Sequence, residues 1–146
     1  MLIFPKAFKT YIPRSHCISS HVYGAIVINQ CLNEVIVIKG RISGKWSFPK
    51  GHGKSWETPL IACIRELKEE TGLDFNKVIP DDEIRFGSGT YFVFLVKERL
   101  ELVPEDIKEV VEAKWIHVNG IPLTTANKDL TSFCRYNIAQ RLIPIT

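Results

Sequence analysis

Three glutamates within one helical turn are the residues of this chain best suited to chemistry. Glu66, Glu69 and Glu70 follow Arg65 in a stretch that ends at Gly72. Residues three and four apart are neighbours on a helix, so the three carboxylates would share an arc of about 100°. Such a cluster repels itself unless it binds a cation, and carboxylate oxygens suit Mg²⁺. The spacing therefore predicts a metal site, with a solvated charged face as the alternative.

The apolar residues around the acids predict the element that would carry them. Leu60, Ile64 and Leu67 have the spacing of one buried helical stripe, which predicts an amphipathic helix over residues 57–71. Gly72 is placed where a left-handed helix cap is expected. No Cys or His lies beside the acids at ligand spacing, which disfavours zinc.

The acids also belong to a longer pattern with set spacing. Its specified positions are occupied by Gly51, Glu57, Arg65, Glu66, Leu67, Glu69, Glu70, Gly72 and Leu73. This pattern resembles the Nudix box, Gly-x5-Glu-x7-Arg-Glu-apolar-x-Glu-Glu-x-Gly-apolar, at every one of them. The resemblance implies hydrolysis of a phosphoanhydride, because divalent cations neutralise phosphate charge and lower the pKa of an attacking water.

The resemblance also implies roles for individual residues. The implied ligands of Mg²⁺ or Mn²⁺ are Gly51, through its carbonyl, with Glu66, Glu69 and Glu70. Arg65 would orient Glu66 through a charge-assisted contact. Glu57 would support Arg65 or the attacking water, and Glu66 is one candidate for the catalytic base.

Residues 45–51, Lys-Trp-Ser-Phe-Pro-Lys-Gly, resemble a stretch of the catalytic subunit of eukaryotic mRNA-decapping enzymes. That family has a glutamate six residues before a tryptophan, and here Glu109 precedes Trp115 by that spacing. Glu109 is therefore a second candidate base, with Glu112 as its competitor and a solvent-facing acid as the alternative. The RNA 5′ cap becomes the leading substrate, and three basic residues would offer a modest RNA contact: Lys128, Arg135 and Arg141.

The segment from Pro49 to His52 is also similar to diadenosine-tetraphosphate hydrolases, and its turn to diphosphoinositol-polyphosphate phosphohydrolases. Dinucleoside polyphosphates and inositol pyrophosphates are therefore alternative substrates, and a non-catalytic Nudix-fold binding module is the alternative from another class. The predicted phosphate contacts are Lys50, His52, Lys45 and Arg41. A nucleotide needs a stacking ring, for which the candidates are Tyr23, Trp46, Phe86, Tyr91 and Trp115. An inositol pyrophosphate needs a basic pocket, and the N-terminal third supplies Lys6, Lys9, Arg14, Lys39, Arg41, Lys45, Lys50 and Lys54.

Length and composition set broad bounds on the protein. A chain of 146 residues fits one domain, 1–146, and its net charge of +3 permits polyanionic substrates without demanding nucleic acid. The four cysteines form no ligand pair, and one lies inside the predicted helix, which favours reduced thiols and a cytoplasmic or nuclear protein: Cys17, Cys31, Cys63 and Cys134. No long apolar run predicts a membrane span, and secretion stays open if a signal peptide has been removed. The sequence does not indicate an oligomeric state.

The remaining elements predict the fold class. We expect strands at 22–28, 34–38, 46–48, 84–86, 90–96 and 114–118, a turn at 49–51, a loop at 81–83 and one C-terminal helix over 127–142. Strands on both sides of a helix suggest a mixed sheet covered on both faces. The resemblance, which spans roughly residues 20–142, implies the same α/β class: an α/β/α sandwich with a mixed sheet and a catalytic loop-helix-loop.

Overall fold

The computed structural model describes residues 21–87 and 89–142. Seven strands form one mixed sheet: β1 (Val22–Asn29), β2 (Glu34–Gly40), β3 (Trp46–Ser47), β4 (Lys50–His52), β5 (Asp82–Phe86), β6 (Gly89–Val96) and β7 (Val110–His117). The strand order is β3-β2-β1-β6-β5, with β4 pairing to β1 and β7 to β2. β1 and β6 are parallel, and the other pairs are antiparallel. The predicted hairpin and mixed sheet are confirmed.

Helices cover both faces of the sheet, which confirms the sandwich. Helix α1 (Pro59–Thr71) packs one face through Cys63 and Leu67, against Phe92 and Phe94 of β6. On the other face lie two helices, α2 (Lys128–Arg135) and α3 (Ile138–Leu142). β1 and β6 are buried on both sides because their β-branched and aromatic side chains supply both cores.

Helix α1 begins two residues later than predicted, for a reason visible in its cap. The Oγ1 of Thr58 accepts a hydrogen bond from the N–H of Ile61 at 3.2 Å, which makes Thr58 the N-cap. Pro59 then takes the first helical position, where its missing N–H costs nothing. Gly72 ends the helix in the left-handed conformation, with φ of 82°, as the sequence predicts.

The single C-terminal helix over 127–142 is wrong, because the chain forms α2 and α3 instead. Asn137 adopts a φ of 51° between them, a left-handed conformation that asparagine tolerates and that no helix continues through. Most of the predicted stripe is nevertheless buried, including Leu130, Phe133 and Leu142. The break turns α3 so that its apolar residues still reach the same core.

Three strand assignments also need correction. The predicted loop at 81–83 is wrong in part, since β5 begins at Asp82 and pairs with β6 despite its acidic start. The predicted turn at 49–51 contains β4, a strand too short to show any periodicity. β7 begins at Val110 rather than at residue 114, because its exposed charged positions hide the alternation.

Two sequence expectations concern thiols and membranes. Cys31, Cys63 and Cys134 form no disulfide, and Cys17 lies outside the described residues. Within residues 21–87 and 89–142, no helix is both long and apolar enough to span a bilayer.

Candidate active site

Helix α1 directs two of its glutamates into the protein. Glu66 and Glu70 are one turn apart, and their residues are 7% and 5% exposed. They face β4, which approaches α1 closely because residue 51 has no side chain. A Cβ built on Gly51 would lie 1.8 Å from Oε2 of Glu66. The alternative of a solvated face is therefore wrong for these two acids.

Burial makes these two carboxylates hard to ionise. The pKa of Glu66 rises to about 7, chiefly through burial, although the Arg65 guanidinium opposes the change. Burial also raises the pKa of Glu70 to about 8, against the N–H of Lys50, which donates to its Oε1 at 3.0 Å. The negative charge of Glu109 raises both values further. A bound cation would reverse this cost, because it favours the ionised form of each acid.

Arg65 ties the preceding loop to the helix. Its Nε and Nη2 donate to Glu57 at 2.6 and 2.9 Å, a bidentate pair, and Nη2 also donates to the carbonyl of His52 at 3.1 Å. Through these bonds, Arg65 lowers the pKa of Glu57 to about 2. Arg65 Nη1 also lies 3.4 Å from Oε2 of Glu66. The structure thus places Glu57 beside Arg65, the first of its two expected positions.

Glu69 lies apart from the other two acids of the cluster. Its Oε1 is 3.3 Å from Nη1 of Arg65, and its side chain is 38% exposed. Glu69 does not line the cleft that Glu66 and Glu70 share. The helical position explains this, since residues 66 and 70 lie on one face and residue 69 is rotated about 100° from residue 70.

A cleft of about 600 Å³ opens in front of Glu66 and Glu70. Glu109, the residue before β7, also lines this cleft. Glu112, in contrast, is the cross-strand partner of Lys39. The Lys39 ammonium lies over the ring of Trp46, which belongs to the core that α2 covers. Cross-strand partners point to the same face of a sheet. Glu112 therefore faces away from the cleft, and the geometry distinguishes it from Glu109.

The four predicted phosphate contacts all line this cleft: Arg41, Lys45, Lys50 and His52. Arg41 is already engaged, since Nε and Nη2 donate to the carbonyl of Ile107 at 3.1 and 2.9 Å. Its N–H also donates to the carbonyl of Glu109 at 2.8 Å. Arg41 therefore anchors the loop that presents Glu109, whereas Lys45 and Lys50 form no ion pair with the described residues.

None of the five predicted stacking residues lines the cleft. Phe86 and Tyr91 are fully buried, and Trp46 is 9% exposed beneath the Lys39 and Lys114 ammoniums. Sequence reasoning missed Asn127, Ile42 and Ser47 as cleft residues, because nothing in their local sequence separates them from ordinary turn and strand positions. The basic candidates Lys6, Lys9 and Arg14 lie outside the described residues.

The donor set fits a hard divalent cation. Within the described part of the chain, no three Asp, Glu, His or Cys side chains lie close enough together to form a complete metal cage. Magnesium does not require one, because it takes one or two carboxylates and completes its shell with water and substrate phosphates. Glu66 and Glu70 supply such a pair of buried carboxylates beside the backbone of Gly51.

Comparisons with known proteins identify the family of the domain. The NUDIX domain model matches residues 20–136. The chain is 31% identical over 109 residues to the m7GpppN-mRNA hydrolase of Saccharomyces cerevisiae, covering 70% of this chain and 11% of that protein. Identity to the Caenorhabditis elegans m7GpppN-mRNA hydrolase is 30% over 131 residues, covering 84% of this chain and 16% of that one. The chain thus spans a small part of these relatives.

Solved structures show the same fold. A C. elegans Ap4A hydrolase superposes with a TM-score of 0.65 and 18% identity, covering 82% of this chain and 97% of that one. The M. smegmatis Nudix hydrolase RenU gives a TM-score of 0.64 at 18% identity, with coverage of 87% and 89%.

Proposed function

Because this chain belongs to the Nudix family, whose domain model covers most of its length, we propose that it hydrolyses a phosphoanhydride bond with Mg²⁺ or Mn²⁺. One observation carries the proposal: two buried glutamates and a third, exposed glutamate line one cleft, together with two lysines that form no ion pair with the described residues. Buried acids of raised pKa beside cationic side chains suit a site that binds a metal ion and a polyphosphate together.

The metal ion would be held by Glu66, Glu70 and the carbonyl of Gly51. Glu69 would act beside them, through Arg65 or as a further ligand. When bound, the cation would neutralise phosphate charge and lower the pKa of the attacking water. Arg65 keeps Glu66 oriented and holds the loop that ends at Glu57, so the ligand geometry is preorganised.

Glu109 suits the role of catalytic base better than Glu66. Glu66 is buried against Gly51 and Arg65, and in the proposed site it would be a ligand of the cation. Glu109 is exposed, lines the same cleft, and forms no ion pair within the described part of the chain. It can therefore accept a proton from water and pass it to solvent.

The leading substrate is the RNA 5′ cap. Support comes from relatives named as m7GpppN-mRNA hydrolases and mRNA-decapping enzyme subunits, at 30–33% identity. Lys45, Lys50 and His52 would contact the phosphates that flank the cleaved bond, and Arg41 would hold the Glu109 loop. Attack on phosphorus would then release a nucleoside diphosphate from the RNA.

A second candidate rests on the lining of the cleft. Among the described residues, no Phe, Tyr or Trp lines it, whereas two lysines, an arginine and a histidine do. A nucleobase gains much of its affinity from a stacking ring, but an inositol pyrophosphate is recognised through its phosphates. This basic lining favours a diphosphoinositol polyphosphate as the alternative substrate. The likeness to an Ap4A hydrolase, at 18% identity, shows the fold alone.

A substrate panel tests the proposal. Purified protein is incubated with cap-labelled RNA, diadenosine tetraphosphate and a diphosphoinositol polyphosphate, each with Mg²⁺, with Mn²⁺ or with EDTA, and products are separated chromatographically. We expect cation-dependent release of a nucleoside diphosphate from capped RNA, faster than release from the two small substrates. Faster cleavage of the inositol pyrophosphate would replace the leading substrate. No cleavage of any of the three would contradict the catalytic proposal and favour a binding module.

A further inference from the structure

A buried tyrosine and aspartate meet directly behind the cleft. Tyr91, in the middle of β6, is fully buried, and its hydroxyl donates a hydrogen bond to Oδ2 of Asp129. Asp129 lies in the first turn of α2 and is 7% exposed. The bond joins α2 to a residue of β6 that lies 38 positions earlier in the chain. Removing a carboxylate from water costs free energy of folding, so packing alone does not explain an aspartate at this buried position.

Glycines bring this pair against the segment that carries Lys50. A Cβ on Gly24 would meet Cε1 of Tyr91, the carbonyl of Pro49 and Cβ of Lys50, each at 2.7 Å. On the far side of the ring, a Cβ on Gly89 would lie 2.6 Å from Cε2 of Tyr91. The ring of Tyr91 therefore occupies the space left by two glycines, Gly24 of β1 and Gly89 of its own strand, next to the backbone that enters β4.

Lys50 lies between carboxylates from the two helical layers. Its N–H donates to Oε1 of Glu70 on α1, and both residues line the cleft. Its ammonium is a favourable electrostatic neighbour of Glu70 and of Asp129, yet it forms an ion pair with neither within the described residues. Both carboxylates therefore attract the same ammonium.

We propose that Asp129, held by the Tyr91 hydroxyl, is a positioning residue that draws the ammonium of Lys50 away from Glu70. Lys50 then points along the cleft wall, where it can meet a substrate phosphate, and Glu70 remains available to a cation. Without the charge of Asp129, Lys50 pairs with Glu70 and competes with the metal ion. The inference rests on the proposed function, because that function gives Glu70 and Lys50 their roles.

A double-mutant cycle on Mn²⁺ affinity tests this coupling, measured by electron paramagnetic resonance at pH 8 without substrate. Asp129→Asn keeps the size of the side chain and an acceptor for Tyr91 but removes the charge. We expect Asp129→Asn to weaken Mn²⁺ affinity about threefold or more. In a protein that also carries Lys50→Gln, the same substitution should change Mn²⁺ affinity less than about twofold. Asp74→Asn, an exposed aspartate on the turn after α1, matches the change in net charge and should have no effect.

Two controls keep the outcomes distinct. Tyr91→Phe, which removes only the hydroxyl, should weaken Mn²⁺ binding in the same direction and should also be suppressed by Lys50→Gln. Thermal melts identify any variant that does not fold, in which case the other variant of the pair decides. An equal loss in the Lys50→Gln background would mean that Asp129 acts without Lys50 and would overturn this inference alone. Absence of Mn²⁺ binding by the unmodified protein would instead overturn the proposed function.

Discussion

Removal of a buried acid from the cleft should stabilise the metal-free protein. Burial raises the pKa of Glu70 from an ordinary 4.5 to about 8. As pH rises from 4.5 to about 8, the unfolded chain ionises this group while the folded chain holds it protonated, so stability falls over that range. At pH 7 the destabilisation is about 3 kcal/mol. Glu70→Gln removes it and keeps an oxygen that can accept from the N–H of Lys50.

Urea unfolding and thermal melts in EDTA measure this effect. At pH 7 we expect Glu70→Gln to be about 3 kcal/mol more stable than the unmodified protein, which is roughly 6–10 °C in Tm. At pH 5 the gain should shrink below about 1 kcal/mol, because pH 5 is only about half a unit above the ordinary pKa of 4.5 and little of the ionisation penalty has accumulated by then. Glu101→Gln, at an exposed position, is the matched control and should change nothing.

Mg²⁺ should favour the unmodified protein over Glu70→Gln, which is opposite to the difference in stability expected in EDTA. Added Mg²⁺ stabilises the form that binds it, so it should raise the Tm of the unmodified protein and of Glu101→Gln but leave Glu70→Gln nearly unchanged. A Glu70→Gln variant that is less stable than the unmodified protein in EDTA at pH 7 would show that burial of Glu70 does not destabilise the metal-free protein. A gain in stability that is the same at pH 5 and pH 7 would contradict the raised pKa of Glu70.

Three further predictions concern other parts of the site. Glu109→Gln should slow single-turnover hydrolysis about 100-fold or more, as loss of a general base does. The rate of Glu112→Gln should stay within about twofold of the unmodified rate. Equal losses of rate would contradict the assignment of the base to Glu109. Gly51→Ala should abolish Mn²⁺ binding and lower the Tm, because the new Cβ would lie 1.8 Å from a carboxylate oxygen, and normal Mn²⁺ affinity in that variant would contradict the close approach of β4 to α1. The pKa of Glu57, about 2 beside Arg65 and 4.5 ordinarily, means that this ion pair stabilises the fold above pH 4.5 and is lost as pH falls towards 2. The stability deficit of Glu57→Gln in urea unfolding should therefore close over that range, and a deficit independent of pH would contradict the assignment.

Local spacing was sufficient to predict helix α1 and the acids on it, because helical periodicity relates residues only a few positions apart. It did not show which acids turn inward. Glu66 and Glu70 share the face that β4 covers, while Glu69 turns towards Arg65, and that choice depends on how the helix packs on the sheet. Glu109 was identified through resemblance alone, since a residue about 40 positions away carries no local signal.

The features that sequence reasoning missed depend on long-range packing. Tyr91 lies in an apolar strand, so the sequence predicts an ordinary core residue there. Nothing near it in sequence indicates that its hydroxyl would bond to Asp129. β4 is too short for a periodic pattern and forms because β1 offers it a free edge. The break at Asn137 is set by a left-handed conformation that asparagine permits but does not require. For Tyr91 and β4 the deciding contact lies far away along the chain.

The proposed catalytic metal site is tested most directly by the single-turnover rate of phosphoanhydride hydrolysis at saturating Mg²⁺, measured on the best substrate of the panel. The carboxylate cluster is expected to be essential, so Glu69→Gln and Glu70→Gln should each abolish measurable turnover while the proteins remain folded. Glu101→Gln should retain the full rate. Full activity in both cluster variants would contradict the assignment of these acids to a catalytic metal site.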